Sequence, residues 1–210
     1  MRTIRRSIFS VLAALGCTVF LVIGSYANAE LMHEIEQCND CHGENGVSTE
    51  SDVPTVAGVS PFIIEEYLFM YSDDARPCPT SKYRFGDTER PETDMCAISK
   101  ELSEDVIPEL AEFYGNKEFV AATQEFDADK ATVGAKIHKR DCEKCHADGG
   151  SYADDDAGIL AGRWMPYLEQ ALANFASGER EMLDDKMKQK IDAQDAESIS
   201  ALLHYYASQQ

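Results

Sequence analysis

The chain has 210 residues, with 19 Lys and Arg against 38 Asp and Glu, a net charge of −19. At 44% hydrophobic and 27% charged it has the composition of a folded protein with a core to bury. A polyanion repels nucleic acid and anionic membrane surfaces, so neither is expected as a partner, whereas a basic protein partner suits it.

The first 29 residues read as a secretory signal peptide. Arg2, Arg5 and Arg6 precede a largely apolar run from Ile8 to Ile23, and Ala27-Asn28-Ala29 supplies a small-x-small cleavage site. The run is short for a membrane span. Cleavage after Ala29 leaves 181 residues with 16 basic and 38 acidic side chains, no membrane span and a periplasmic destination. Six cysteines remain: Cys38, Cys41, Cys78, Cys96, Cys142 and Cys145. In an exported chain an even number ordinarily means disulfides.

The mature chain repeats itself. Cys38-Asn39-Asp40-Cys41-His42 and Cys142-Glu143-Lys144-Cys145-His146 stand 104 residues apart. At that offset Gly46 matches Gly150, Asp52 matches Asp156, Ala57-Gly58 matches Ala161-Gly162, Glu65 matches Glu169, Leu68 matches Leu172 and Arg76 matches Arg180. Beyond this the offset becomes 92, pairing Met95 with Met187, Ile107 with Ile199, Leu110 with Leu202 and Phe113-Tyr114 with Tyr205-Tyr206. The first copy thus carries 12 extra residues between Arg76 and Met95. The expected division is residues 30–116, a connector over 117–129, and residues 130–210.

The predicted elements are helical throughout. In the first copy a helix runs from Pro61 to Ser72, and Ile107, Leu110, Ala111 and Tyr114 trace the face of another capped by Ser103. In the second copy the matching helices run from Pro166 to Ala176 and through Ile199, Leu202, Leu203 and Tyr206. No alternating run marks a strand. The expected class is all-α, with two tandem domains, each small enough to need a staple.

C-x-x-C-H is the attachment motif of a c-type haem: the two thiols add across its vinyl groups and the adjacent histidine reaches the iron. Zinc would need four converging ligands, and a redox dithiol would need a βαβ context that is missing. Neither accounts for a histidine in both copies. Two covalently attached haem c groups are therefore expected, on Cys38 and Cys41 with His42, and on Cys142 and Cys145 with His146. A methionine opposite the histidine would raise the iron potential and close the site. Only Met95 and Met187 coincide under the repeat, with Met182, five residues away, the rival to Met187. His33, His138 and His204 have no counterparts in the other copy, which points to surface or packing roles.

Cys78 and Cys96 flank the extra loop, and a disulfide between them would tether Met95 by closing an 18-residue segment, worth roughly 3 kcal/mol. Ala57-Gly58 and Ala161-Gly162 leave two roles open, close approach of backbone to haem or a helix-initiating turn. Asp154-Asp155-Asp156 reads as a solvated acidic loop. No nucleotide- or flavin-binding fingerprint and no nucleophile elbow is present.

The order C-x-x-C-H, Ala-Gly, aromatic helix, Met and C-terminal helix resembles class I cytochrome c, present twice. The second copy is similar to the di-haem cytochrome subunit of flavocytochrome c sulfide dehydrogenase, through Gly134-Ala135-Lys136-Ile137-His138, Ile159 to Leu168 and Tyr205 to Gln210. That resemblance implies an electron-transfer protein with no catalysis of its own. Its flavoprotein partner would carry FAD, oxidise sulfide and pass electrons to these haems. A free-standing di-haem shuttle to a terminal oxidase is the alternative. The loop from Arg76-Pro77-Cys78 to Met95-Cys96 departs from the family pattern.

Residues 30–120 carry 6 basic and 21 acidic side chains, and residues 121–210 carry 10 and 17. Glu34, Glu36, Asp40 and Glu44 surround the first motif, while Lys136, Lys139, Arg140 and Lys144 surround the second. By charge alone a basic acceptor cytochrome would meet the first domain and a less basic donor the second.

Overall fold

The structure, a computed structural model, describes residues 29–152, 157–181 and 184–210. Residues 1–28, which carry the export signal expected from the sequence, the Asp154–Asp156 run and Met182 lie outside the described residues. Among those residues there are helices and no strand; Ser81 and Thr93 form an isolated antiparallel bridge.

Residues 29–42 form α1. A tight turn at Glu44–Gly46 leads to a loop and then to α2 (Pro61–Ser72), where a proline in the first turn gives up no helical hydrogen bond. After the extra loop come α3 (Met95–Glu101), capped by Asp94 accepting from Ala97 N at 2.9 Å, and α4 (Val106–Gly115). Ser103 Oγ accepts from Val106 N at 3.3 Å, but regular helix starts only at Val106.

The second half repeats the plan. It opens with α5 (Ala128–Ile137), capped by Asp127, which runs into a π turn at His138–Cys142 and then the single turn α6 (Ala147–Gly150). There follow α7 (Met165–Ser177), α8 (Asp185–Asp192), capped by Asp184, and α9 (Ala196–Ala207), capped by Asp195. In each half the middle helix packs on the last one and on the short helix before it: α2 on α4 and α3, α7 on α9 and α8.

Each half has its own core. Ile35 of α1 packs with Val106, Leu110 and Tyr114 of α4. Ile137 of α5 packs with Leu168 of α7 and Ala201, Leu202, Leu203 and Tyr206 of α9. The connector joins both. Gly58 has φ +69° and a Cβ there would lie 2.5 Å from Phe119 N; Gly162 has φ +70° and its Cβ would lie 2.6 Å from Ala121 Cβ. The two small residues therefore make room for one strip of connector, which is anchored by Ala122 N donating to Gly162 O at 2.7 Å.

Gly134 shows how tightly α5 and α9 meet. A Cβ at this mid-helix position would lie 2.1 Å from Ala201 O. Alanine is the better helix former by about 1 kcal/mol, yet overpacking at such a contact costs about 1–3 kcal/mol. Gly134→Ala should therefore lower the urea midpoint of unfolding. A raised midpoint would show that the helices can separate freely.

Candidate functional site

Each C-x-x-C-H segment ends with a buried histidine whose Nδ1 faces a main-chain carbonyl. His42 is 9% exposed, and its Nδ1 donates to Pro54 O at 2.8 Å. His146 is 6% exposed, and its Nδ1 lies 3.3 Å from Gly158 O. Burial lowers the His42 pKa, with the Arg163 guanidinium acting in the same direction. A carbonyl at Nδ1 sets the tautomer and the plane of the ring. The acceptor is main chain, so proline in one copy and glycine in the other serve alike.

The carbonyls are placed by matching loops. Gly46 O accepts from Val56 N and Ala57 N at 2.8 and 3.1 Å; Gly150 O accepts from Leu160 N and Ala161 N at 2.8 and 3.0 Å. Gly58 N donates to Tyr114 O and Gly162 N to Tyr206 O, each at 2.9 Å. The same tyrosines reach back toward the first cysteine of each motif. Tyr114 hydroxyl donates toward Ile35 O at 3.2 Å and Asn39 Oδ1 at 3.0 Å, and Tyr206 hydroxyl lies 3.0 Å from His138 Nδ1. Burial, with Glu34 adding to it, pushes the Cys38 thiol up to about 12, and burial also raises Cys41 and Cys142. Cys38, Cys41 and Cys142 are half-buried, Cys145 is exposed, and all four are free thiols.

The methionines occupy equivalent helices. Met95 is the first residue of α3 and Met187 the third of α8; both are half-buried. Cys78 and Cys96 are joined by a disulfide with Cα atoms 5.8 Å apart, closing the loop that precedes Met95. In the second half a carboxylate makes the comparable tie. Asp141, next to Cys142, bonds Arg140, Lys190 Nζ at 3.2 Å and Gln194 Nε2 at 3.2 Å, and so holds α8 against the attachment segment. His138 is buried, with Nε2 donating to Glu143 Oε2 at 2.7 Å, and His204 Nδ1 accepts from Asp127 N at 3.0 Å. His138 and His204 are thus used in packing.

Three arginines meet between the halves: Arg76, Arg163 and Arg180 are 6%, 8% and 5% exposed. Arg76 lies over the rings of Tyr67 and Tyr71 at 4.0 and 4.4 Å, and Arg180 over Phe175 and Tyr67 at 4.1 and 4.8 Å. Arg163 donates to Ile159 O at 2.5 Å and across to Thr55 O at 2.8 Å, beside Trp164 Nε1 donating to Ser48 O at 3.1 Å. Burial alone would push the Tyr167 hydroxyl up, but the three guanidiniums together pull it below the ordinary tyrosine range. Among the described residues no ion pair involves these arginines, and Arg76 Nη1 and Arg180 Nε are enclosed without a hydrogen-bond partner. Buried cations without a counter-charge are costly. A haem carries carboxylate side groups, so the orphaned nitrogens fit that group. The match of Arg76 with Arg180 is visible in the sequence, whereas Arg163 has Val59 as its counterpart and escapes any repeat-based search.

No family model and no curated protein sequence matches the chain. Among solved structures it is similar to reduced cytochrome c4 from Pseudomonas stutzeri, with TM-score 0.69 and 21% identity over 88% of this chain and 98% of that one. It is also similar to cytochrome c4 from Acidithiobacillus ferrooxidans, with TM-score 0.66 and 23% identity over 82% of this chain and 99% of that one. A third similarity is to thiosulfate dehydrogenase (TsdBA) from Marichromatium purpuratum, with TM-score 0.65 and 21% identity over 82% of this chain and 36% of that one. The fold is the tandem, all-helical arrangement of cytochrome c4.

Arg140 pulls the Asp141 carboxyl down to about 2, with Lys190 and Gln194 adding to it. The folded value lies below the ordinary ~3.9. The unfolded chain therefore takes up the proton first, and the stabilisation present above about pH 4 is lost as pH falls through about 2. Asp141→Asn should make the loss of unfolding free energy between those values shallower in urea titrations. An unchanged slope would show that the contact between α8 and the π turn does not depend on this carboxylate.

Proposed function

We propose that the chain is a periplasmic di-haem electron-transfer protein. Cys38 and Cys41 hold one haem covalently and Cys142 and Cys145 the other. His42 and His146 are the proximal ligands, with Met95 and Met187 opposite. The observation that carries this is the doubled histidine geometry: in each C-x-x-C-H segment the histidine ring is buried and its Nδ1 faces a carbonyl 12 residues on. When bound, the haem iron supplies one-electron chemistry between ferrous and ferric states. The chain's own residues hold the ligand rings in place, exclude water from the buried face and neutralise the carboxylates through Arg76 and Arg180. No bond chemistry on a substrate is assigned to the chain, and no described helix is long and apolar enough to cross a membrane.

At the finer level, the chain is the haem subunit that accepts electrons from an FAD-bearing, sulfide-oxidising partner. The residues from Ile159 to Leu168 and from Tyr205 to Gln210 support that pairing. The occurrence of this fold within a longer thiosulfate dehydrogenase chain supports a role inside a larger oxidoreductase. A free-standing shuttle to a terminal oxidase is favoured by a different observation, the match over 98% and 99% of two cytochrome c4 chains. Purification from the native source separates the two: flavin absorbance eluting with the haem bands supports the complex, and haem bands alone support the shuttle.

Both irons should be low-spin with His/Met ligation, so the oxidised protein should show the weak sulfur-to-iron band at the red edge of the visible spectrum. Met95→His and Met187→His should each remove about half of its intensity, since each deletes one of two equivalent ligands. If Met182→Ala removes that half and Met187→Ala does not, the second ligand is Met182.

A further inference from the structure

The extra loop folds back over the first attachment segment, and among the described residues the second segment has no such cover. Arg84 N and Phe85 N both donate to Asp40 O, at 2.8 and 2.9 Å, and Arg90 pairs with the Asp40 carboxylate. A Cβ on Gly86 would lie 2.4 Å from Asp40 Oδ1. Arg90 is itself stacked on Tyr83 at 3.6 Å, and Arg84 holds Asp52 at 2.7 Å. The loop base is closed by the disulfide and by the bridge between Ser81 and Thr93. Asp40 keeps only 14% of its side chain exposed, and Cys41 is half-buried.

At the matching place in the second half Lys144 and Cys145 are exposed. Exposed Lys136 and Lys139 stand nearby in the same stretch of chain. Of the acids there, Asp141 is engaged by Arg140 and Lys190 and Glu143 by His138, while Asp148 is exposed. Among the described residues no ion pair involves Lys136, Lys139 or Lys144.

We propose that the loop over residues 77–94 closes the first half to redox partners, and that electrons pass in and out at the open Cys145 edge of the second half, against a one-electron redox protein with an acidic face. The inference rests on the di-haem reading. One electron leaves the partner, which is oxidised, and reduces the iron held by His146 from ferric to ferrous; no bond forms or breaks, and the first haem is filled from the second within the molecule. Charge alone would send a basic acceptor to the first half. The folded loop changes this by covering Asp40 and placing Arg84 and Arg90 among the acids of that face. The overall negative charge does not cancel the local basic patch, because fields beyond about 8 Å are screened at physiological salt.

The test uses the full haem-loaded chain and, as an acidic one-electron probe, reduced plant-type ferredoxin in stopped-flow at and above physiological ionic strength. Lys139→Glu combined with Lys144→Glu should slow haem reduction about tenfold or more and flatten its dependence on ionic strength. Glu36→Lys combined with Glu44→Lys reverses charge on the groove beside Asp40, which Met32, His33 and Phe85 also line, and should change the rate less than about threefold. Equal slowing by both pairs, or a tenfold acceleration by the glutamate pair, overturns the port. A pyridine haemochrome spectrum is recorded first for each variant. A chain lacking two haems overturns the di-haem reading and the port with it, whereas two haems with the wrong kinetic pattern overturns the port alone.

Discussion

A buried imidazole keeps one tautomer and one ring plane only if a ring nitrogen is fixed, and in both C-x-x-C-H segments the fixing group is a main-chain carbonyl. Pro54 O and Gly158 O fill that place for His42 and His146. Neither carbonyl could stay in position on an unsupported loop. Gly46 O and Gly150 O gather two N–H groups each, and the Ala-Gly steps are pinned to the ends of α4 and α9 through Tyr114 O and Tyr206 O. The hydroxyls of those tyrosines return to the helix that carries the cysteines. The attachment segment, the loop and the last helix thus form a closed ring of contacts in each half. A change at any member reaches the histidine.

The halves are not two independent beads. Arg163 and Trp164 donate to carbonyls of the first half, and the connector lies over a glycine in each. Between them three guanidiniums sit among aromatic rings. Cation–π contacts return part of the desolvation penalty, but ring faces do not satisfy N–H donors, and Arg76 Nη1 and Arg180 Nε remain without partners. A guanidinium keeps its charge under all ordinary conditions, so the arginines themselves cannot relieve the strain by losing a proton. It calls for an anion. Carboxylates contributed by a cofactor in each half would make the interface depend on loading of both.

What could be read in the sequence was what leaves a local or repeated mark. The C-x-x-C-H motifs, the offsets of 104 and 92, the α2 limits at Pro61 and Ser72 and the all-helical class follow from spacing, periodicity and a proline in the first turn. The histidine supports were not legible, because a backbone acceptor has no side-chain identity: Pro54 against Gly158 looks like a mismatch until the carbonyls are seen. Arg163 was invisible for the opposite reason, having no counterpart in the first copy. The Ala-Gly pair was recognised as a place needing small residues, but its neighbour, the connector at Phe119 and Ala121, lies at least 40 positions away from either pair. Contacts of that separation carry no pattern in a single chain.

Duplication explains the ring of contacts; divergence explains where the halves now differ. Both tie the methionine-bearing segment to the cysteines through an aspartate, but the first uses Asp40 inside the motif, gripped by a disulfide-closed loop, and the second uses Asp141 just before it, bonded to α8. An aspartate inside the motif brings its partners directly onto the attachment segment. One placed three positions earlier, just before the motif, leaves Lys144 and Cys145 to solvent. A three-residue difference in where the anchoring carboxylate stands, together with 12 inserted residues, therefore leaves one of two like sites covered and the other, among the described residues, open. Two equally open edges would let any partner exchange electrons with either site. Under the proposed port, a single open edge makes the other site reachable only through the molecule, across the interface that the three arginines occupy.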